Sequence, residues 1–176
     1  MEASNLDREV FKQLSYGLYI VTSCAENRLN GQIVNTVIQV TSDPARVAVI
    51  VNKNNLTHDF IRGSKVFGAS VLDESATLKF IGLFGFRSGR DIDKFAEVGF
   101  VLGSTGCPLV TENCLSWLEA RVIDQIDVGT HTLFVGEVMA SQVIKEGNPL
   151  TYLHYHTALK GKAHKQSPTY DPTVGK

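Results

Sequence analysis

The stretch NGQIVNTVIQVTSDPARVAVIVNKNNLTHDFI, residues 30–61, decides the fold. Two strand-like runs, QIVNTVIQVTS and RVAVIVN, flank the turn dipeptide Asp43-Pro44, and LTHDFIRGS then starts a helix. The second run is almost wholly apolar and is expected to be buried on both faces. The first is unusual: it carries Asn35, Thr36, Gln39 and Thr41 where a β-core prefers aliphatic side chains. Side chains alternate with period 2 along a strand, so Asn35, Gln39 and Thr41 are expected on one face. They offer uncharged donors and acceptors there. That face suits a flat heterocycle edged with carbonyls and ring nitrogens, although a solvated edge strand would carry the same residues.

Outward from this stretch, YGLYIVTS reads as a preceding strand and ENRLNG as a turn centred on Asn30-Gly31. A short helix, DREVFKQL, is expected near the N-terminus with Ser4 or Asn5 as its cap. On the C-terminal side, Thr57 is expected at or near the N-cap of the LTHDFIRGS helix and Gly63 at its end. KVFGASVL follows as a strand, and ESATLKFIGLF as a helix with Leu78, Ile81 and Leu83 on its apolar face. FRSGRDIDKFAEVG reads as a basic loop leading into a short helix. CLSWLEARVIDQIDVG and THTLFVGEVMASQVI form a long hairpin, NPLTYLHYH a last strand or extended segment, and LKGKAHKQSPTYDPTVGK a solvated tail. Many β-segments with irregularly inserted helices predict a mainly β (α+β) fold, a closed or partly closed antiparallel barrel with helical insertions. One domain over residues 1–165 is expected, with 166–176 as a C-terminal tail.

Composition narrows the function classes. The chain has 176 residues, 43% hydrophobic and 20% charged, enough for one domain with a core. A formal net charge of −1 gives no long-range field toward nucleic acid or an anionic membrane. No apolar run approaches the ~20 residues of a membrane span. MEASNLDREVF is polar and acidic, unlike a signal peptide, so a cytoplasmic location is the expectation. Cys24, Cys107 and Cys114 form no CxxC pair and read as reduced thiols, and the histidines lack ligand spacing, so no metal site is expected.

Two further segments complete a binding constellation. KNNLTHDF sets Lys53, Asn54, Asn55 and Thr57 where a buried strand meets a helix start, and free N–H groups at a helix N-terminus suit a phosphate. FRSGRDIDK supplies Arg87, Ser88, Gly89, Arg90 and Lys94 around a Ser-Gly turn that lets backbone approach an anion. No GxSxG, HExxH, GxGxxG or Walker pattern is present.

YGLYIVTS, RLNGQIVNTVIQVTSDP, VNKNNLTHDFI, FGFRSGRDIDKF, GTHTLFVGEV and LKGKAHKQSPTY, in this order, resemble the flavin reductase-like family of FMN-binding split-barrel proteins over roughly residues 8–170. The likeness is greatest to flavoredoxins and to the flavoprotein domain of high-molecular-weight rubredoxins. The resemblance implies FMN as cofactor. It places Asn35, Thr36, Gln39, Thr41 and Ser42 at the edge of the isoalloxazine ring, and Asn52, Asn54 and Thr57 along the ribityl chain and phosphate. Ser88, Arg90 and Lys94 would close over the phosphate, and His131 would lie where a nicotinamide arrives. A homodimer is implied, with NADH or NADPH and a separate rubredoxin-like or other redox protein as further partners. The implied activity is an NAD(P)H-dependent oxidoreductase passing electrons from nicotinamide to flavin to an acceptor, with no side chain assigned as general acid or base. A non-catalytic electron carrier and a flavin-binding or storage module are the alternatives.

Overall fold

The computed structural model describes residues 7–170. Its regular elements are β1 (Tyr19–Ala25), β2 (Arg28–Val34), β3 (Val37–Ser42), β4 (Ala45–Asn52), α1 (Leu56–Ser64), β5 (Val66–Leu72), α2 (Leu78–Gly85), β6 (Phe100–Leu102), β7 (Pro108–Val110), β8 (Cys114–Asp127), β9 (His131–Val143) and α3 (Tyr152–Thr157). Seven strands form one sheet in the order β2-β1-β5-β8-β9-β4-β3, every neighbour antiparallel. The outermost strands, β2 and β3, are sequence neighbours joined through Asn35 and Thr36 alone. The sheet therefore curls until its two edges lie close, yet no ladder joins them. This is a split barrel, as the sequence predicts.

Burial shows why the chain folds this way. Ile20 and Val21 are consecutive in β1 and both fully buried, so they must face opposite sides of the sheet. Val21 joins Val49, Val51, Ile61, Phe67 and Phe134 in the barrel interior. Ile20 joins Leu72, Phe80, Ile81, Phe84 and Phe95 in a second core beneath α2. Thus β1 is a septum between two cores, and α1, through Ile61, packs into the first.

Several local expectations are corrected. The β1–β2 turn sits at Glu26 and Asn27, both with positive φ (49° and 63°), as a two-residue hairpin loop demands. Asn30 and Gly31 lie inside β2, opposite Ser23 and Thr22. The predicted single strand QIVNTVIQVTS breaks at Asn35-Thr36 and carries a bulge between Gln39 and Thr41. That bulge spoils the period-2 argument, because an extra residue reverses facing. The N-cap of helix α1 is Asn55, with Thr57 near it in the first turn, and the helix runs one residue past Gly63 to Ser64 before Lys65 closes it in the left-handed conformation.

In α2 the buried face is Phe80, Ile81 and Phe84, with Leu78 exposed, and Thr77 accepts from the Phe80 N–H as cap. Residues 87–98 form turns rather than a helix. YLHYH is helical: Thr151 caps α3 by accepting from the His154 N–H. The N-terminal helix is a single 3₁₀ stretch, Arg8–Gln13, capped by Asp7; the expected caps Ser4 and Asn5 lie outside the described residues.

Residues 158–170, after α3, are not a solvated tail; residues 171–176 of the expected tail lie outside the described residues. The described segment turns back across the mouth of the barrel, tied by Tyr155 Oη to the Lys162 carbonyl (3.0 Å) and by Thr169 Oγ1 to Tyr152 Oη (2.8 Å). We call residues 158–170 the strap.

Candidate flavin site

A cavity of about 310 Å³ opens where β2 and β4 meet the start of α1, the loop 86–90 and the strap. Each wall has a reason to be there. Asn30 and Gln32 alternate along β2 and line the cavity with Asn35 at the strand break. Asn52 ends β4, where its Oδ1 accepts from the Asn54 N–H (3.0 Å) and turns the chain toward α1. Asn55 makes no side-chain capping bond. The His58 N–H turns back to the Asn55 carbonyl (3.0 Å), whereas the N–H groups of Leu56 and Thr57 remain available to a ligand.

Buried polar groups around this space are incompletely satisfied. Asn30 is 2% exposed, and its Nδ2 donates to Thr57 Oγ1 at 2.9 Å. Its Oδ1, like that of Asn35, has no partner. The Asn30 oxygen lies where a Cβ at residue 89 would sit, so Gly89 is required for the 86–90 loop to pack this close. Gln32, Asn54, Arg87, Lys162 and Lys165 line the cavity, and their side chains make no protein hydrogen bond or ion pair. No carboxylate lines it among the described residues. Neutral amides, a helix N-terminus and cations without counterions form a surface made for a polar anion.

Of the expected residues, Asn35, Asn52, Asn54, Thr57, Ser88, Arg90 and Lys94 come together on this cavity. Thr36, Gln39, Thr41 and Ser42 do not line it. Thr36 Oγ1 donates to the Ile50 carbonyl, Gln39 Nε2 to the Thr41 carbonyl, and Thr41 Oγ1 to the Pro44 carbonyl. Lys53 points away, paired with Asp127 (2.6 Å). Arg90 braces the loop, donating to the Asn54 carbonyl (3.3 Å) and to Asp59 Oδ2 (3.0 Å). Lys94 is 4% exposed, and its ammonium donates to the carbonyls of Gly31 (2.8 Å) and Phe84 (3.3 Å). Burial lowers its pKa to about 8. Lys94 thus ties the loop to β2 and α2.

His131 lines a second, more open cavity of about 430 Å³, on the other side of the strap. Its Nε2 contacts the Gln166 carbonyl at 3.2 Å and its Nδ1 the Thr130 hydroxyl at 2.8 Å. Burial pulls its pKa below the usual imidazole range, against the opposing pull of the Gln166 carbonyl. The strap also receives Asn52 Nδ2 on the Gln166 carbonyl (3.3 Å) and Asn35 Nδ2 on Thr169 Oγ1 (3.0 Å).

Sequence reasoning missed Asn30, Gln32 and the strap wall. The alternation of Asn30 and Gln32 was present, but reading Asn30-Gly31 as a turn hid it.

The chain matches the family described as flavin reductase like domain over residues 11–161. It is 47% identical over 165 residues to a ferric-chelate reductase (NAD(P)H) of Archaeoglobus fulgidus, covering 94% of this chain and 98% of the relative. It is 44% identical over 171 residues to the high molecular weight rubredoxin of Moorella thermoacetica, covering 97% of this chain and 74% of that protein. Among solved structures, the flavin reductase HpaC complexed with NADP+ superposes with a TM-score of 0.70 at 27% identity, covering 83% of this chain and 93% of that one.

Proposed function

From the premise that the chain belongs to the flavin reductase like family, we propose that it is an FMN-dependent oxidoreductase that takes electrons from NADH or NADPH. The single observation that carries the reading is the carboxylate-free cavity lined by unpartnered amides and cations at the start of α1. Bound there, a flavin supplies the redox chemistry, taking two electrons from a reduced nicotinamide and passing them to an acceptor.

This chain's own residues bind, orient and shield. Asn30, Gln32 and Asn35 present amides suited to the polar edge of the ring, and Asn52 and Asn54 suit the ribityl hydroxyls. The α1 N-terminus, Thr57, Ser88 and Arg87 suit the phosphate, while Arg90 and Lys94 hold the loop that carries Ser88. One compact anion site, with no glycine-rich pyrophosphate turn, favours FMN over FAD. Thr36, Gln39, Thr41 and Ser42 stay in the proposal only as groups that a neighbouring subunit's site could use. Exposed Ile38 and Val40 on β3 support a homodimer through that edge. No helix among the described residues is long and apolar enough to cross a membrane, which agrees with the cytoplasmic location we propose.

The test is a visible spectrum of the purified protein followed by anaerobic NADH and then NADPH. Bleaching of a bound-flavin band near stoichiometric nicotinamide is expected. The kinship to a rubredoxin-containing protein favours one second reading, an electron carrier reduced by a redox protein. A flavin that neither nicotinamide bleaches, but reduced rubredoxin does, would establish the carrier instead.

A further inference from the structure

We propose that Lys165 is the anion-binding residue for the second reactant, a small polyanion that enters through the cavity beside His131. The class includes the phosphates of a nicotinamide dinucleotide and a carboxylate-chelated metal; the inference rests on the flavin-oxidoreductase reading above.

Lys165 lines both cavities. It is the only Lys, Arg, Asp or Glu on the second one among the described residues. Its backbone is fixed on both sides. On one, His164 packs its ring edge against Phe86 and accepts from the Gln166 N–H at 3.3 Å. On the other, the Gln166 carbonyl is held by Asn52 Nδ2 and contacts His131 Nε2. The root of the side chain is therefore anchored on the ridge between the cavities. Its ammonium, with no hydrogen bond or ion pair in the protein, is free to serve either side.

Charge distribution decides which side. The chain's net charge is −1, yet five cationic residues and no carboxylate line the first cavity. Arg90 and Lys94 are engaged with Asp59 and with backbone carbonyls, which leaves Arg87, Lys162 and Lys165. In the reading above, Arg87 with Thr57, Ser88 and the α1 N-terminus takes the cofactor phosphate. Of the two lysines that remain, Lys165 is the one that also lines the cavity of His131. Unpaired like charges repel one another until an anion arrives, so such a cluster raises the local concentration of anionic reactants.

The experiment is stopped-flow kinetics of the flavin-loaded protein and its Lys165→Gln, Lys165→Glu and Lys165→Arg variants. The reductive arm uses NADH and NADPH anaerobically. The oxidative arm uses dithionite-reduced protein mixed with ferric citrate. We expect the half-saturating concentration in at least one arm to rise on the order of tenfold with Gln, and further with Glu. Arg should restore it, and limiting rates should hold. The arm affected identifies which polyanion uses the site.

Unchanged half-saturation in both arms overturns the inference. So does a loss of FMN affinity, which would assign Lys165 to the cofactor. If the wild type is not reduced by either nicotinamide, the nicotinamide reading fails, and the oxidative arm alone decides the role of Lys165.

Discussion

Thr57 shows how one hydroxyl serves fold and site together. It lies in the first turn of α1, 1% exposed, and its oxygen accepts the Asn30 amide. Its own hydrogen remains free for a ligand. Thr57→Val removes the acceptor and leaves Asn30, whose oxygen is already unpaired, without any bond. A buried unsatisfied amide costs about 1–3 kcal/mol, so the urea midpoint of the apoprotein should fall and FMN should bind more weakly. Thr57→Ser should restore both. The sequence singled out Thr57 both as a capping residue and as a phosphate ligand, but not its bond to Asn30, because that partner is 27 residues away.

Lys94 makes a pH-dependent prediction. Its folded pKa, about 8, lies below the ~10.4 of a free lysine. Between these values the unfolded chain binds more protons than the folded one, so stability rises with pH across this window. Below pH ~8 the cost of burying the charge is fully present. Comparing wild type with Lys94→Met by denaturation between pH 7.5 and 10.5 should show a wild-type gain of at most about 3 kcal/mol. The variant should lack this gain. A flat difference would place the charge in a more polar setting than its two carbonyl partners provide.

At the scale of elements, long periodic segments were legible and short polar ones were not. β4, β5, β8 and β9 announced themselves as apolar or alternating runs. The β2–β3 segment did not, because one break and one bulge reset its alternation, and bulges leave no sequence mark. YLHYH alternates like a strand, but Thr151 as cap and Tyr155 as a buried anchor make it α3. The strap was illegible for another reason: its order comes from distant side chains, Asn35, Asn52, Tyr152 and His131, rather than from local pattern.

The strap's anchors yield a prediction. Thr169 Oγ1 bonds both Tyr152 Oη and the Asn35 amide, and Lys160, Lys162 and Lys165 are exposed on the same segment. Thr169→Val should therefore speed tryptic cleavage there severalfold, since cleavage follows the open population. The midpoint of global unfolding should move far less. Equal loss in both would make the strap part of the main cooperative unit.

For the whole molecule, the split barrel leaves β3 at the sheet edge with Ile38 58% and Val40 48% exposed. An uncovered apolar edge strand invites pairing with another chain, and this edge carries none of the lysine or proline that blunts one. The same strand holds Gln39, Thr41 and Ser42, which line neither of the two cavities described. A two-fold partner would cover the apolar residues and bring those polar groups near a second subunit's site. We therefore expect sedimentation at twice the 19.3 kDa chain mass.

Ile38→Lys should shift the protein to the monomer. More than half of the side chain is exposed, so a lysine there disturbs little packing within one chain. The monomer should keep the wild-type far-ultraviolet spectrum. If β3 completes the neighbour's site, FMN affinity should fall with dimerisation, and raising the protein concentration should restore both. A wild type that sediments as a monomer at every concentration would leave the apolar edge to a different partner, and Gln39, Thr41 and Ser42 would then be surface residues of an edge strand.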